Sequence, residues 1–383
     1  MTSLDLTSAR RADFDALAAR CVSCGLCLPA CPTFDLLDQE SDAPRGRIHL
    51  MQAMVAGTLA VEDGRDALDR CLGCRACETA CPAGVQYGEM LEIVRSGGGR
   101  RTHAIVSLLL HLVERPRLLA LAMRGRALAR LVPSSLAASA RVMDPAARVT
   151  WERRAPGAPK AVVLRGCVMQ HAFGPAQQAA VDVLARCGYD VVDVPAQGCC
   201  GALHLHNGEL DRGETLRDRL LASIPDDAVL VSTSAGCGAA LRERDARVLD
   251  LTEALLRAPE PPRVEPSGER VAVFDACHLR HAQGIVGPSR DVLRASGYEP
   301  AELAGAGRCC GAAGVYSLTQ PELSLRLRES RVEAIRASGA RTVSCGNPGC
   351  ALQLRAGLAE AGLDVRVAHP AELALEAGKA VAI

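Results

Sequence analysis

Two runs of four cysteines constrain this chain more than any other feature. CVSCGLCLPACP sets Cys21, Cys24, Cys27 and Cys31 ahead of Pro32, and CLGCRACETACP sets Cys71, Cys74, Cys77 and Cys81 ahead of Pro82. Both follow C-x2-C-x2-C-x3-C-P. At that spacing three thiolates hold three irons of one [4Fe–4S] cluster and the fourth ligates the other cluster. A short turn lets three sulfurs converge with amides aimed at the cluster; the proline then breaks the helix and turns the chain away. The expected ligand sets are therefore Cys21, Cys24, Cys27 and Cys81 for one cluster, and Cys71, Cys74, Cys77 and Cys31 for the other. Four-cysteine zinc sites usually show paired C-x2-C units, and two complete runs with both prolines read as iron–sulfur ligands instead. The 39 residues between Cys31 and Cys71 are long for a compact hairpin ferredoxin and suit a helical one.

The chain has 383 residues and 18 cysteines. Disulfides would need an oxidising compartment, but the N-terminus offers no apolar stretch that reads as a signal peptide. Arg10-Arg11 is followed by Ala-Asp-Phe-Asp rather than an apolar segment. The expectation is a cytoplasmic protein whose cysteines bind metal. Lys plus Arg and Asp plus Glu are equal at 44 each, without the basic excess that nucleic-acid partners require.

Between the runs, Pro44–Gly57 and Val61–Arg70 read as helices, and Ser96–Gly99 as a break. Residues 101–131 read as amphipathic helices bent at Pro116, with basic residues on the wet face. They suit a connector or a docking helix first and a membrane-surface anchor second. Residues 132–160 read as an irregular linker. The best apolar candidate for a membrane span, Ala104–Met123, is interrupted by Glu114-Arg115-Pro116-Arg117.

From Lys160 short apolar runs alternate with helical stretches, which predicts βα units around a mostly parallel sheet. The runs include AVVLRGC, YDVVDV, AVLVSTS, VAVFDAC and RTVSCGN. This half repeats itself. Cys167-x3-His171 recurs as Cys277-x3-His281, and Cys199-Cys200-Gly201 as Cys309-Cys310-Gly311, both 110 residues on. Ala235-Gly236-Cys237 returns as Pro348-Gly349-Cys350 after a three-residue insertion. Each copy thus offers four cysteines at strand ends or helix starts, where open α/β sheets collect ligands. Cys167, Cys199, Cys200 and Cys237 form the first candidate metal set; Cys277, Cys309, Cys310 and Cys350 form the second. Cys187 has no counterpart and reads as a buried apolar residue. Cys345 is either a fifth ligand of the second copy or a core residue. His171 and His281 are equivalent, and each reads as a hydrogen-bonded structural residue before a ligand.

The expected organisation is a helical ferredoxin domain with two [4Fe–4S] clusters (1–100), a helical connector and linker (101–159), and two α/β Cys-Cys-Gly modules (160–258 and 269–383). The fold class is α plus α/β.

At these motifs the chain resembles the Cys-Cys-Gly family of iron–sulfur proteins. That family holds the iron–sulfur subunit of glycolate oxidase, partners of lactate and anaerobic glycerol-3-phosphate dehydrogenases, and the cysteine-rich subunit of heterodisulfide reductase. SDAPRGRIHLM, CLGCRACETACPAGVQYGEMLEIVR, CCGALHLHNGE, CHLRHAQGI, CCGAAGVYSLTQPELS and NPGCALQL carry the resemblance. It implies an electron-transfer subunit of a multi-subunit 2-hydroxyacid dehydrogenase, oxidising glycolate or lactate. FAD would sit on a partner subunit, and a quinone or other acceptor would take the electrons. It also implies a cytoplasmic location, peripheral on the inner membrane face. The chain itself shows no dinucleotide motif and no acid/base set, so no catalytic residue is assigned to it. The modules of heterodisulfide reductase usually end in C-x2-C, giving five thiolates; here Ser234 and Asn347 stand three residues before the last cysteine. The Cys-Cys-Gly sites could then hold an iron–sulfur cluster, zinc or a reversible dithiol. The alternative function is redox chemistry at those sites, as in heterodisulfide reductase.

Overall fold

A computed structural model describes residues 3–99, 103–124, 134–144 and 147–380. The N-terminal part is helical. Ser8–Ala18, Pro44–Val55, Val61–Asp69, Ala76–Thr79 and Tyr87–Val94 pack around Phe14, Met51, Met54, Leu68 and Met90, while Pro32–Leu37 sends Leu36 and Leu37 to a second cluster with Leu323 and Leu327. The Thr7 side chain caps the first helix by accepting from Arg10 N–H. Pro32 was expected to break a helix; instead it begins one, in the first-turn position where its missing N–H costs nothing. Tyr87–Val94 ends in a wide turn, Arg95–Gly99, at which Gly98 takes φ +100°.

Ala104–Val113 and Pro116–Arg124 form a helical hairpin with the bend at Pro116. Residues 125–133 lie outside the described residues. The stretch expected to be irregular holds a short helix, Ser134–Arg141, which packs on Pro348–Glu360. Among the described residues no helix is long and apolar enough to cross a membrane.

The remainder holds two four-stranded parallel sheets. β1 (Lys160–Val163), β2 (Asp190–Val191), β3 (Ala228–Ser232) and β4 (Val248–Asp250) lie in the order β2-β1-β3-β4. β5 (Arg270–Val273), β6 (Glu299–Glu302), β7 (Thr342–Ser344) and β8 (Arg366–Ala368) repeat it as β6-β5-β7-β8. The central strands are buried along nearly their whole length, as strands covered on both faces must be. In each sheet the chain moves to one side of its first strand and then to the other. Open α/β sheets collect ligands at such a switch, outside the carboxyl ends of the strands.

The modules interlock. The C-terminal helix Pro370–Ala380 keeps Leu373 against its own sheet and buries Ala371, Ala374 and Leu375 in the core of the first module, against Gly174–Arg186. His369 Nε2 hydrogen-bonds Thr233 O at 3.0 Å, and Ala235 N–H donates to Gly346 O at 3.2 Å.

Candidate iron–sulfur and cysteine sites

The two C-x2-C-x2-C loops share one backbone. In each, the second and fourth residues after the first cysteine have positive φ: Ser23 (+55°) and Gly25 (+84°), then Gly73 (+62°) and Arg75 (+62°). Alternating the sign of φ curls a loop so that successive N–H groups face inward and make an anion-binding nest. Glycine takes one such position per loop without steric penalty. Ser23 and Arg75 each hold a conformation that costs about 1–2 kcal/mol, and strain of this kind gathers at functional sites. Gly73 N–H donates to Cys71 Sγ at 3.5 Å.

The eight N-terminal cysteines line two adjoining cavities. One has about 460 Å³ of free space, partly open to solvent, and is lined by Cys21, Cys24, Cys27 and Cys81 with Cys77 at its inner edge. The other has about 310 Å³ and is lined by Cys31, Cys71, Cys74 and Cys77. Each cavity thus gathers three thiols of one run and the last thiol of the other, with Cys77 shared between them. Pro44 and Tyr87 border both.

The cavities differ in wetness and charge. Cys24 is exposed and Cys21, Cys27 and Cys81 are half-buried, whereas Cys31, Cys71, Cys74 and Cys77 are all buried. Two buried cations flank the inner cavity. Arg47 donates to Ala67 O at 2.8 Å and Thr33 Oγ1 at 3.0 Å, and pairs with Asp42 at 3.1 Å; its Nη1 lies 3.8 Å from Cys31 Sγ. Arg95 donates to Leu68 O at 2.8 Å and Cys71 O at 2.9 Å. Burial pushes the Cys71 thiol up, but Arg47, Arg95 and the Tyr87 hydroxyl at 3.5 Å outweigh it and bring its pKa below the ordinary range. Burial pushes Cys74 and Cys77 well above it. An all-thiolate donor set of this kind selects iron–sulfur clusters or other thiophilic metals.

In the modules the cysteines meet at the sheet crevices. Cys167 follows β1, Cys199-Cys200 follow β2, and Cys237 lies in the first turn of helix Ala235–Arg242 after β3. Cys277, Cys309-Cys310 and Cys350 hold the same places after β5, β6 and β7. Gly201 (φ +79°) and Gly311 (φ +81°) turn the chain so that each donates its N–H to the first thiol of the vicinal pair, at 3.4 Å in both copies. A Cβ at Gly201 would stand 2.1 Å from Gly213 O, and one at Gly311 2.5 Å from Ser324 O.

The thiols of each module form a string of neighbours that shift one another's pKa. In the first module the order is Cys167, Cys199, Cys200, Cys237. The adjoining Cys167 and Cys200 thiols, with the Gly201 N–H, bring the Cys199 pKa far below the ordinary thiol value; the Cys200 thiol and the Ser234 hydroxyl likewise lower Cys237. In the second module the order is Cys277, Cys309, Cys310, Cys350, Cys345. There the neighbouring thiols and burial together leave Cys277, Cys309, Cys310 and Cys350 well above the ordinary range. Among the described residues no three His, Cys, Asp or Glu side chains are gathered about a single-ion position. Cys187 is apart from both strings, buried in the apolar core, where burial pushes its thiol to about 11.

The comparisons with known proteins agree with this architecture. A family model described as a 4Fe-4S dicluster domain matches residues 17–85, and one described as a cysteine-rich domain matches twice, at 161–242 and 271–355. The probable glycolate oxidase iron–sulfur subunit of Bacillus subtilis is 33% identical over 93% of each chain. The glycolate oxidase iron–sulfur subunit of Escherichia coli is 30% identical over 91% of this chain and 92% of its own. The chain belongs to the glycolate oxidase iron–sulfur subunit family. Lactate utilization protein A of an Exiguobacterium strain is 23% identical over 58% of this chain and 99% of its own length.

In this family member the histidines divide by position. His281 bridges the ferredoxin part and the second module, with Nδ1 2.9 Å from Thr79 Oγ1 and Nε2 3.0 Å from Gly307 O. His171 is half-buried, and burial lowers its pKa. His206 and His278, which have no repeat partners in the sequence, instead meet with ring centroids 4.9 Å apart and planes tilted by 47°. Glu92 of the ferredoxin part holds His206 Nδ1 at 2.8 Å. Arg47, Arg95, Tyr87 and Asn347 escape sequence reasoning, since ordinary residue types reveal their roles only through partners distant in the chain.

Proposed function

We propose that this chain is the electron-transfer subunit of a multi-subunit 2-hydroxyacid dehydrogenase, receiving electrons from FAD on a partner subunit and passing them to a quinone or another acceptor. The observation that carries this reading is the pair of adjoining four-cysteine cavities, one open to solvent and one buried. Cys21, Cys24, Cys27 and Cys81 would hold one [4Fe–4S] cluster, and Cys31, Cys71, Cys74 and Cys77 the other. Bound there, the clusters would supply one-electron carriers between a two-electron flavin and its acceptor. Glycolate and lactate in the relatives' names support a small 2-hydroxy acid as the complex's substrate.

The chain's own residues suit that role. The nest loops present amides to anionic clusters. Arg47 and Arg95 offset negative charge in the buried cavity, where low dielectric makes each cation count for more. Around Cys24 the surface is apolar: Val22 is 73% exposed and Leu26 59%. We place the face that meets the flavin-bearing partner there, because it is the exposed edge of the outer cavity.

Cys24→Ser in the assembled complex tests the reading. Flavin reduction by the 2-hydroxy acid should persist while transfer onward to dye or quinone is lost. Onward transfer at the wild-type rate would reject it.

A further inference from the structure

We propose that the helical hairpin of residues 104–124 is a lipid-docking face that seats this chain on the surface of an anionic bilayer. The inference rests on the electron-transfer reading above and deepens its acceptor side, since an acceptor dissolved in a bilayer is within reach of a chain that lies on it. Among the described residues seven large apolar side chains are exposed, and four of them belong to this hairpin: Ile105, Leu108, Leu118 and Leu121. Leu108 is 57% exposed and Leu121 65%. Exposed apolar side chains scattered singly need no explanation, whereas four on one short hairpin mark a contact surface.

The packing shows which side of the hairpin is free. Val106 and Leu110 are buried with Val315 and packed on Leu203, and Val113 and Leu119 are buried with Cys199 and packed on Leu203 and Leu216. Leu203 lies beneath both helices, so both rest on one support. Leu108 and Leu121 each stand two residues from a buried leucine, Leu110 and Leu119, which turns them roughly 160° away around the helix. Both therefore face off that support.

The charges beside these leucines fit lipid headgroups. Residues 103–124 hold one acid, Glu114, and it is turned inward. Its Oε1 accepts from Arg212 Nε at 2.8 Å and lies 3.3 Å from His204 Nε2. Arg115 and Arg117, on either side of the bend at Pro116, are exposed. The outer face is thus basic, in a chain whose basic and acidic residues balance at 44 each. Arginine stems lie along apolar surface while the guanidinium stays at the phosphates. Leucines with basic neighbours on helices that lie flat are the pattern of an interfacial segment. Protein interfaces are anchored by aromatic side chains instead, and residues 103–124 contain no Phe, Tyr or Trp. Neither helix is long enough to span, so the hairpin lies on the surface. Cys199 beneath it then stands about one helix diameter, ~10 Å, from the lipid.

The test is flotation of the folded full-length chain with vesicles of phosphatidylcholine, alone or mixed with phosphatidylglycerol. The chain should float with the mixed vesicles, more weakly with the neutral ones, and salt should release part of it. Leu108→Glu with Leu121→Glu should lower the partition coefficient at least about tenfold. Arg115→Gln with Arg117→Gln should lower binding to the mixed vesicles about fivefold per arginine. Leu325→Glu, at an exposed leucine outside the hairpin, should float like the parent. The changed side chains are all exposed, and circular dichroism should show an unchanged fold. A parent chain that floats with neither vesicle, or a variant of either pair that floats like the parent, overturns the proposal. Absent flotation together with lost capture of the flavin-bearing subunit by the glutamate pair overturns it in favour of a protein-docking face. Flotation needs no electron transfer, and Cys24→Ser decides that reading by itself, so the two failures are distinguishable.

Discussion

Replacing Arg47 by methionine removes the buried cation nearest the inner cysteine cavity while keeping most of its volume. Arg47 Nη1 lies 3.8 Å from Cys31 Sγ. At an effective dielectric of about 20, a unit charge about 4 Å away is worth about 4 kcal/mol. An electron spread over a cluster feels that charge from a greater mean distance, which roughly halves the effect to about 2 kcal/mol. For a one-electron couple, about 59 mV corresponds to about 1.4 kcal/mol, so the shift is about 90 mV. Losing a positive charge makes reduction harder, so the potential falls. An anaerobic redox titration followed by electron paramagnetic resonance should show one cluster shifted by that amount and the outer one little changed. Asp42, the buried partner of Arg47 at 3.1 Å, provides the internal control. Asp42→Asn alone should raise the potential, and the double variant should return toward wild type. A shift below about 20 mV, or equal shifts in both clusters, would refute the assignment of Arg47 to the inner site.

Further expectations follow from other places in the fold. Gly201→Ala and Gly311→Ala should each yield insoluble or metal-poor chain, because the added Cβ meets a backbone carbonyl at 2.1 Å or 2.5 Å; Gly84→Ala, with nothing near its Cβ, should cost only about 1–2 kcal/mol, as urea titration would show. Val22→Glu with Leu26→Glu should weaken capture of the flavin-bearing partner while leaving cluster spectra unchanged; undiminished capture in a pull-down would move the docking face elsewhere. Burial lowers His369 to about 4 and raises Asp250 to about 6. The His369 contribution grows as pH rises from about 4 toward 6.5, and the Asp250 contribution is lost as pH rises from about 4 to 6. The two slopes oppose, so between about pH 4 and 6 these two groups largely cancel in the urea midpoint. His369→Gln removes one rising contribution, so from about pH 5 to 6 the urea midpoint should rise less, or fall more, than in the parent chain; an unchanged profile would show that His369 does not titrate as its burial implies.

What the sequence discloses here is what local spacing and repetition can encode. The apolar runs beginning at Ala161, Ala228, Val271 and Thr342 became strands because each is short, β-branched and flanked by turn chemistry. The 110-residue repeat discloses two copies of one module. β6 was hidden because it carries Pro300, which only an edge strand tolerates, and β6 is an edge. Ser134–Arg141 was hidden because its support is the distant helix Pro348–Glu360. Pro32 was misread as a helix breaker because the same residue type also starts helices, and only the following residues' packing decides between the two. The cysteines announce themselves, but the residues that tune them do not. Arg47 needed Asp42 and Thr33 in place to be seen as a buried cation, and Asn347 reads as a mere departure from C-x2-C until Ser234 and Gly236 are found opposite it.

The central claim is that this chain carries electrons for a flavin enzyme acting on 2-hydroxy acids. The most direct measurement is anaerobic isolation of the tagged chain from its native host, followed by assays for bound flavin and for dye reduction driven by glycolate or lactate. The account predicts a co-purifying flavin-bearing subunit and dye reduction dependent on one of those acids. A flavin-free chain, loaded with iron and sulfide but inert to both acids, would contradict it and bring disulfide chemistry at the Cys-Cys-Gly sites to the front.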